Sequence, residues 1–244
     1  MRSKSLAHPS TNYSQYARHG WSLCLWHQHT RVVKTSLIHR LHARAKGVQP
    51  IVETPNLDIL VFIGTRNQYN SLNPCLTELE NTGTRIGSII NERNGFDHHN
   101  KIASFHKTRL IGKRFFQIAK PSKANTLQNP LTQDALTNVM AALYILEKTK
   151  PKLFLISNDH HPTYRQWMLA AHHLSIPIAY IQHASVSDQF PPPLYDHALL
   201  DGKAAGDIYE TIYARHNRWP DNIFFVGQQK AIQHSNGTQI GIGI

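Results

Sequence analysis

Three short polar clusters carry the residue types that can do chemistry: Ser157-Asn158-Asp159-His160-His161, Gln182-His183-Ala184-Ser185 and Asp201-Gly202. Imidazole titrates near neutrality, so His183 is the first candidate for a general base that takes a proton from a substrate hydroxyl. Asp159 is the second; a carboxylate more often orients or hydrogen-bonds hydroxyls unless burial raises its pKa. The plainer alternative for His183 is a side chain that only bonds loop backbone. Asp159, His160 and His161 are also metal-ligand types. Neighbouring side chains diverge, however, and no second His/Cys pair at ligand spacing completes a set, so no metal is expected. Ser185 lacks the Gly-x-Ser-x-Gly setting of a hydrolase nucleophile.

Each cluster ends an apolar run, at Leu153 to Ile156, Ile176 to Ile181 and Ala198 to Leu200, the pattern of parallel strands covered on both faces. Between the first two, Pro162 suits a first helical turn, and Trp167, Ala170, Ala171 and Leu174 recur at i, i+3, i+4 and i+7. Ligands of such sheets bind beyond the carboxyl ends of the strands, where the three clusters would converge. Phe190-Pro-Pro-Pro-Leu194 reads as a stiff loop, either the lip of a groove or a rigid connector. Leu57 to Ile63 is the expected first strand and runs into Gly64-Thr65-Arg66-Asn67. Gly64 has no Gly-x-Gly-x-x-Gly around it, so no dinucleotide cofactor is expected. Arg66 can hold a phosphate or carboxylate bidentately, although a lone surface arginine is more often a solvated charge.

The remaining expectations are a helix over 71–81, a strand over 85–90, a polar loop over 91–100 and a basic helix over 107–119 stopped by Pro121. A linker follows over 122–129, then a helix from near Asp134 to Lys150. A helix over 203–215 and a strand over 222–226 closed by Gly227 complete the pattern. The class this predicts is α/β, a doubly wound, Rossmann-like parallel sheet spanning 56–227.

In their order, Ser157-Asn158-Asp159-His160, Ile181-Gln182-His183 and Leu200-Asp201-Gly202 resemble the amino-terminal half of bacterial surface-polysaccharide glycosyltransferases of the two-domain GT-B type. Ala184 stands where that family usually has glycine, so a positive φ there would be strained. The resemblance implies an acceptor-side domain that transfers a sugar from a nucleotide-sugar donor to a glycan or lipid-linked acceptor. Such a reaction needs a base for the acceptor hydroxyl and groups that steady the departing phosphate. It implies His183 and Asp159 as catalytic residues. Arg66, Ser157, Asn158, His160, Gln182, Ser185 and Asp201 are the implied substrate contacts. A donor half would hold the nucleotide at a helix amino terminus. Residues 228–244 read as an interdomain linker, so the chain is expected to stop as the donor half begins. The alternatives are a non-catalytic sugar-binding remnant and a nucleotide-sugar epimerase-like protein.

Composition narrows the partners. Of a net charge of +11, residues 1–52 carry eight Lys or Arg and no Asp or Glu, so the rest of the chain is nearly balanced. Within this arm Val33, Leu37, Leu41 and Ala45 recur every fourth residue beside Lys34, Arg40 and Arg44, as in a basic amphipathic helix on an anionic membrane. A solvated extension over 1–55 is the commoner use of such charge. No zinc finger, RNA-recognition signature or helix-turn-helix accompanies the arm, so no specific nucleic-acid partner is expected. Cys24 and Cys75 are too few for a disulfide framework, which fits a reducing cytoplasm, with the arm at the inner face of the membrane as a further expectation.

Overall fold

The computed structural model describes residues 56–91, 101–104, 108–114 and 130–227. Seven strands build one sheet: β1 (Ile59–Ile63), β2 (Ile86–Ile90), β3 (Lys101–Ser104), β4 (Leu153–Ile156), β5 (Ile178–Ile181), β6 (His197–Leu200) and β7 (Asn222–Phe225). Their order is β3-β2-β1-β4-β5-β6-β7, and every neighbouring pair is parallel. The connections are α1 (Arg66–Asn81), a helical stretch over 108–114, α2 (Pro130–Thr149), α3 (Pro162–His173) and α4 (Lys203–His216). This is the doubly wound, Rossmann-like α/β fold expected from the sequence. The expected basic arm, most of the polar loop, the linker over 122–129 and residues 228–244 lie outside the described residues.

Strand alternation divides the core into two layers. On one face Ile59, Val61 and Ile63 of β1, Ile86 and Ile90 of β2, Leu155 of β4 and Ile181 of β5 pack with Leu72 and Leu76 of α1. On the other, Phe62, Phe154, Ile156, Tyr180, Ala198 and Leu200 meet α2, α3 and α4. Trp167 of α3 is buried there between Phe62 and Phe154, with ring centroids at 5.3 and 6.0 Å.

The reversal of direction at the centre of the sheet matters most for function. From β1 the chain moves outward to β2 and β3, then returns through α2 to β4 and continues the other way. The helices that follow β1 and β4 therefore lie on opposite faces, which makes this the switch point where sheets of this kind form a ligand crevice at the carboxyl edge.

Two elements differ from expectation. β3 falls just beyond the loop read over 91–100; Lys101-Ile-Ala-Ser has little apolar character and is a strand because β2 pairs with it, across a register shift at Ser88/Ile89. α1 starts at Arg66 rather than 71. Its start is a capping box: Gln68 N–H donates to Thr65 Oγ1 at 3.2 Å, and Thr65 N–H donates to Gln68 Oε1 at 3.1 Å.

The crossover from β5 to β6 contains no helix. Pro191, Pro192 and Pro193 are all buried, so this stretch is a strap within the protein rather than the lip of a groove. Prolines have no N–H to leave unsatisfied there. Its carbonyls are served by side chains of the flanking helices. Arg165, 3% exposed, donates from Nη1 to Pro192 O at 2.8 Å; His172 Nε2 lies 2.5 Å from Leu194 O, and Arg215 donates to Asp188 O at 2.7 Å. At the far edge, β7 exposes Phe224 and Phe225, the latter against Gly206 of α4.

Candidate functional site

All four loops at the centre and right of the sheet bring their polar residues to the carboxyl edge, and cross-loop bonds lock them. After β1, Gly64 N–H also donates to Gln68 Oε1, at 2.7 Å, and so does the buried Tyr164 hydroxyl of α3, at 2.5 Å. A Cβ on Gly64 would stand 2.1 Å from that hydroxyl, so the glycine is required by a close approach rather than by a turn. Arg66 opens α1 on the exposed side. Asn67, next to it, donates from Nδ2 to His183 O at 3.1 Å, bridging the β1 and β5 loops.

Ser157 directly follows β4. Continuing the alternation of Leu153 and Leu155, it falls on the α1 side of the sheet, one residue past the Phe62–Ile156 and Ile156–Tyr180 pairings. It is fully buried, and its Oγ has no hydrogen-bond partner among the described residues. Such a group costs about 1–3 kcal/mol unless water or a ligand serves it. Asn158 turns its Oδ1 to His160 N–H and His161 N–H, at 3.2 and 2.8 Å, shaping the entry to α3. His161 is the N-cap, its Nδ1 accepting from Thr163 N–H at 3.3 Å. That bond needs an unprotonated Nδ1; burial, helped by His160, lowers the His161 pKa in the same sense.

Asp159 points into the protein and is 1% exposed. Its Oδ2 accepts from Tyr209 of α4 at 2.8 Å, and its Oδ1 lies 3.2 Å from His160 Nδ1. The Tyr209 and Tyr180 hydroxyls are 2.9 Å apart. Tyr209 has one proton and gives it to the carboxylate, so Tyr180 donates to Tyr209. Burial first, and then the charge on Asp159, push the pKa values of Tyr180, Tyr195 and Tyr209 well above the usual range, which keeps them donors. His160 stacks on Phe190 at 4.3 Å. Asn158, Asp159 and His160 therefore all make bonds or contacts within the protein, and of the three Asp159 is the one wholly withdrawn from the edge.

After β5, Gln182 is 4% exposed and uses both ends of its amide. Its Oε1 accepts from Asp201 N–H at 2.9 Å, and its Nε2 donates to Ala184 O at 3.0 Å. His183 is half-buried, whereas Ser185 is exposed. Among the described residues the non-glycine ones with positive φ are Lys150, Ser175 and Asn217; Ala184 is not one of them, so alanine is unstrained where the family resemblance has glycine. Asp201 reaches the same edge, where α4 begins at Gly202 without a side-chain cap.

Arg66, Ser157, Gln182, His183 and Asp201 thus come to one edge. Asn67, Gln68, Tyr164, Arg165 and Tyr209 escaped sequence reasoning; only the Thr65-x-x-Gln68 capping pattern was there to be read. No three His, Cys, Asp or Glu side chains converge as metal ligands among the described residues. No described helix is long and apolar enough to cross a membrane.

Fold and site together define a doubly wound parallel α/β protein whose polar loops meet at the sheet's central reversal. No family model and no curated protein matches the chain. Solved structures that do match include UDP-GlcNAc 2-epimerases. The enzyme of Methanocaldococcus jannaschii, in complex with UDP-GlcNAc and UDP, is 18% identical over 70% of this chain and 46% of that one, with a TM-score of 0.45. That of Neisseria meningitidis, bound to UDP-GlcNAc, is 17% identical over 70% and 46%, also at 0.45. That of Rickettsia bellii is 15% identical over 71% and 45%, at 0.43. The chain spans about half the length of these proteins.

Proposed function

We propose that this chain is the acceptor-side half of a nucleotide-sugar enzyme that transfers a sugar to a glycan or lipid-linked acceptor in surface-polysaccharide synthesis, and works with a second domain that holds the nucleotide. The observation that supports the reading best is that Arg66, Ser157, Gln182, His183 and Asp201 come to one edge of the sheet beside its central reversal, where Asn67 and Gln182 tie their loops together. In this proposal His183 takes the acceptor proton, Arg66 faces the donor phosphate and Asp201 borders the sugar. Asp159 acts from behind, holding His160 and α4 in place, rather than touching substrate.

The test uses the chain together with a domain that holds the nucleotide, with a panel of nucleotide sugars and acceptors, and follows products in single turnovers. His183→Ala should slow transfer by about 10²- to 10⁴-fold, the usual worth of a positioned general base. An unchanged rate would remove His183 from the mechanism. A nucleotide sugar with one inverted centre, formed without acceptor, would replace transfer by epimerisation.

A further inference from the structure

We infer that Asn67 and Gln182 act as one clamp that sets the direction of the His183 side chain, making both of them positioning residues rather than substrate contacts. The inference rests on the proposed role of His183 for its functional meaning, but the clamp itself stands on geometry. Two consecutive carbonyls of the β5 loop are each held by a side-chain amide from a different direction. Asn67 Nδ2, from the first turn of α1, donates to His183 O at 3.1 Å. Gln182 Nε2, from the end of β5, donates to Ala184 O at 3.0 Å. Asn67 fixes the plane of the 183–184 peptide, one of the two that flank the His183 Cα, and the Gln182 side chain reaches across residue 183 to the next peptide, so the turn that carries the His183 Cα–Cβ bond is closed around it. The other end of the Gln182 amide accepts from Asp201 N–H at 2.9 Å, so the clamp also ties the β6 loop to the same frame.

The two halves of the clamp differ in character. Gln182 is 4% exposed, and its bonds to Ala184 O and Asp201 N–H take up one N–H and the oxygen of its amide. That leaves little of it to offer a ligand. Asn67 is exposed, and its bond joins residues 116 apart in sequence. An exposed hydrogen bond of this kind adds little to global stability. Its effect is local: it fastens the loop beside Arg66 to the loop of His183 across the crevice that a substrate would enter.

The experiment measures the loop without any ligand. In the full chain, amide hydrogen exchange of residues 183–185 and the ring signals of His183 are followed by NMR, with the ring assigned through its loss in His183→Gln. Asn67→Ala should speed exchange at 183–185 by about 3- to 10-fold, as expected for one lost hydrogen bond, with the unfolding midpoint unchanged. Asn67→Asp keeps the shape but has no donor, and should behave like the alanine variant. Gln182→Met should add to the effect; because that site is buried, the exposed Asn67 variants decide the matter if it fails to fold. Exchange equal to wild type in Asn67→Ala, or wild-type behaviour in Asn67→Asp, would overturn the clamp. Failure of the clamp is distinguishable from failure of the proposed function, since His183→Ala transfer rates report on the second alone.

Discussion

Replacing Gly64 by alanine tests the packing beneath the crevice. The added Cβ would lie 2.1 Å from Tyr164 Oη, 3.2 Å from Tyr164 Cζ and 3.3 Å from Gln68 Oε1, where ordinary contact begins near 3.4 Å. The tyrosine cannot swing aside freely. It is 4% exposed, its hydroxyl is bonded to Gln68, and its ring stands edge-on to Phe62 with centroids 4.7 Å apart. Overpacking of this kind costs about 1–3 kcal/mol. Pushing the hydroxyl off Gln68 adds about 1 kcal/mol for the lost bond. Gly64→Ala should therefore destabilise the fold by about 2–4 kcal/mol in urea unfolding followed by circular dichroism. Tyr164→Phe removes the atom in the way and leaves Gln68 Oε1 its two backbone donors. The same alanine should then cost at least about 1 kcal/mol less in that background, a coupling a double-mutant cycle resolves. A Gly64→Ala variant as stable as wild type, or costs that simply add, would refute the steric account.

Tyr209→Phe takes a hydrogen-bond donor from the buried Asp159 carboxylate and should cost about 1.5–3 kcal/mol by the same assay; a cost below about 0.5 kcal/mol would mean the carboxylate is served by other groups. Arg165→Met leaves the Asp159 and Pro192 carbonyls without their shared donor, at 2.9 and 2.8 Å, and should cost about 2 kcal/mol or more while exposing the strap to proteolysis at Ser185 to Gln189; an unchanged cleavage rate would argue against the clamped strap. Asp58, at the amino edge of the sheet, is bonded to Arg85 and Lys152, and these partners hold its pKa well below the usual carboxylate range. Its folded pKa is depressed, so its contribution is fully present above the unfolded pKa near about 3.9 and is lost as pH falls below that toward the folded value. Asp58→Asn should flatten that part of the stability profile, and an identical acid limb in the variant would contradict this.

The sequence was most legible where one local rule decided the structure. β4 and β5 are uninterrupted apolar runs, Pro162 marks the first turn of α3, and the observed β7 lies within the expected 222–226. Where tertiary pairing decided, it was silent. Lys101 to Ser104 looks like loop until β2 supplies a partner. The first turn of α1 is so polar that the apolar stripe begins only at Leu72, and the capping box, not hydrophobicity, starts the helix. Asp159 reads as an exposed chemical group because the tyrosine that draws it inward lies 50 residues later on α4. The convergence of Ser157, Gln182 and Asp201 was readable for the opposite reason: parallel strands of one sheet have no choice but to end at one edge.

Among the described residues β7 is an edge strand of the sheet. An edge strand offers its free N–H and C=O groups to any other strand, and natural edges commonly deter this with lysine, proline or a bulge. Asn222-Ile-Phe-Phe225 has neither a charge nor a proline, and its two phenylalanines, on opposite faces by strand alternation, are 51% and 58% exposed. Among the described residues this margin is therefore one at which the sheet can accept a further strand.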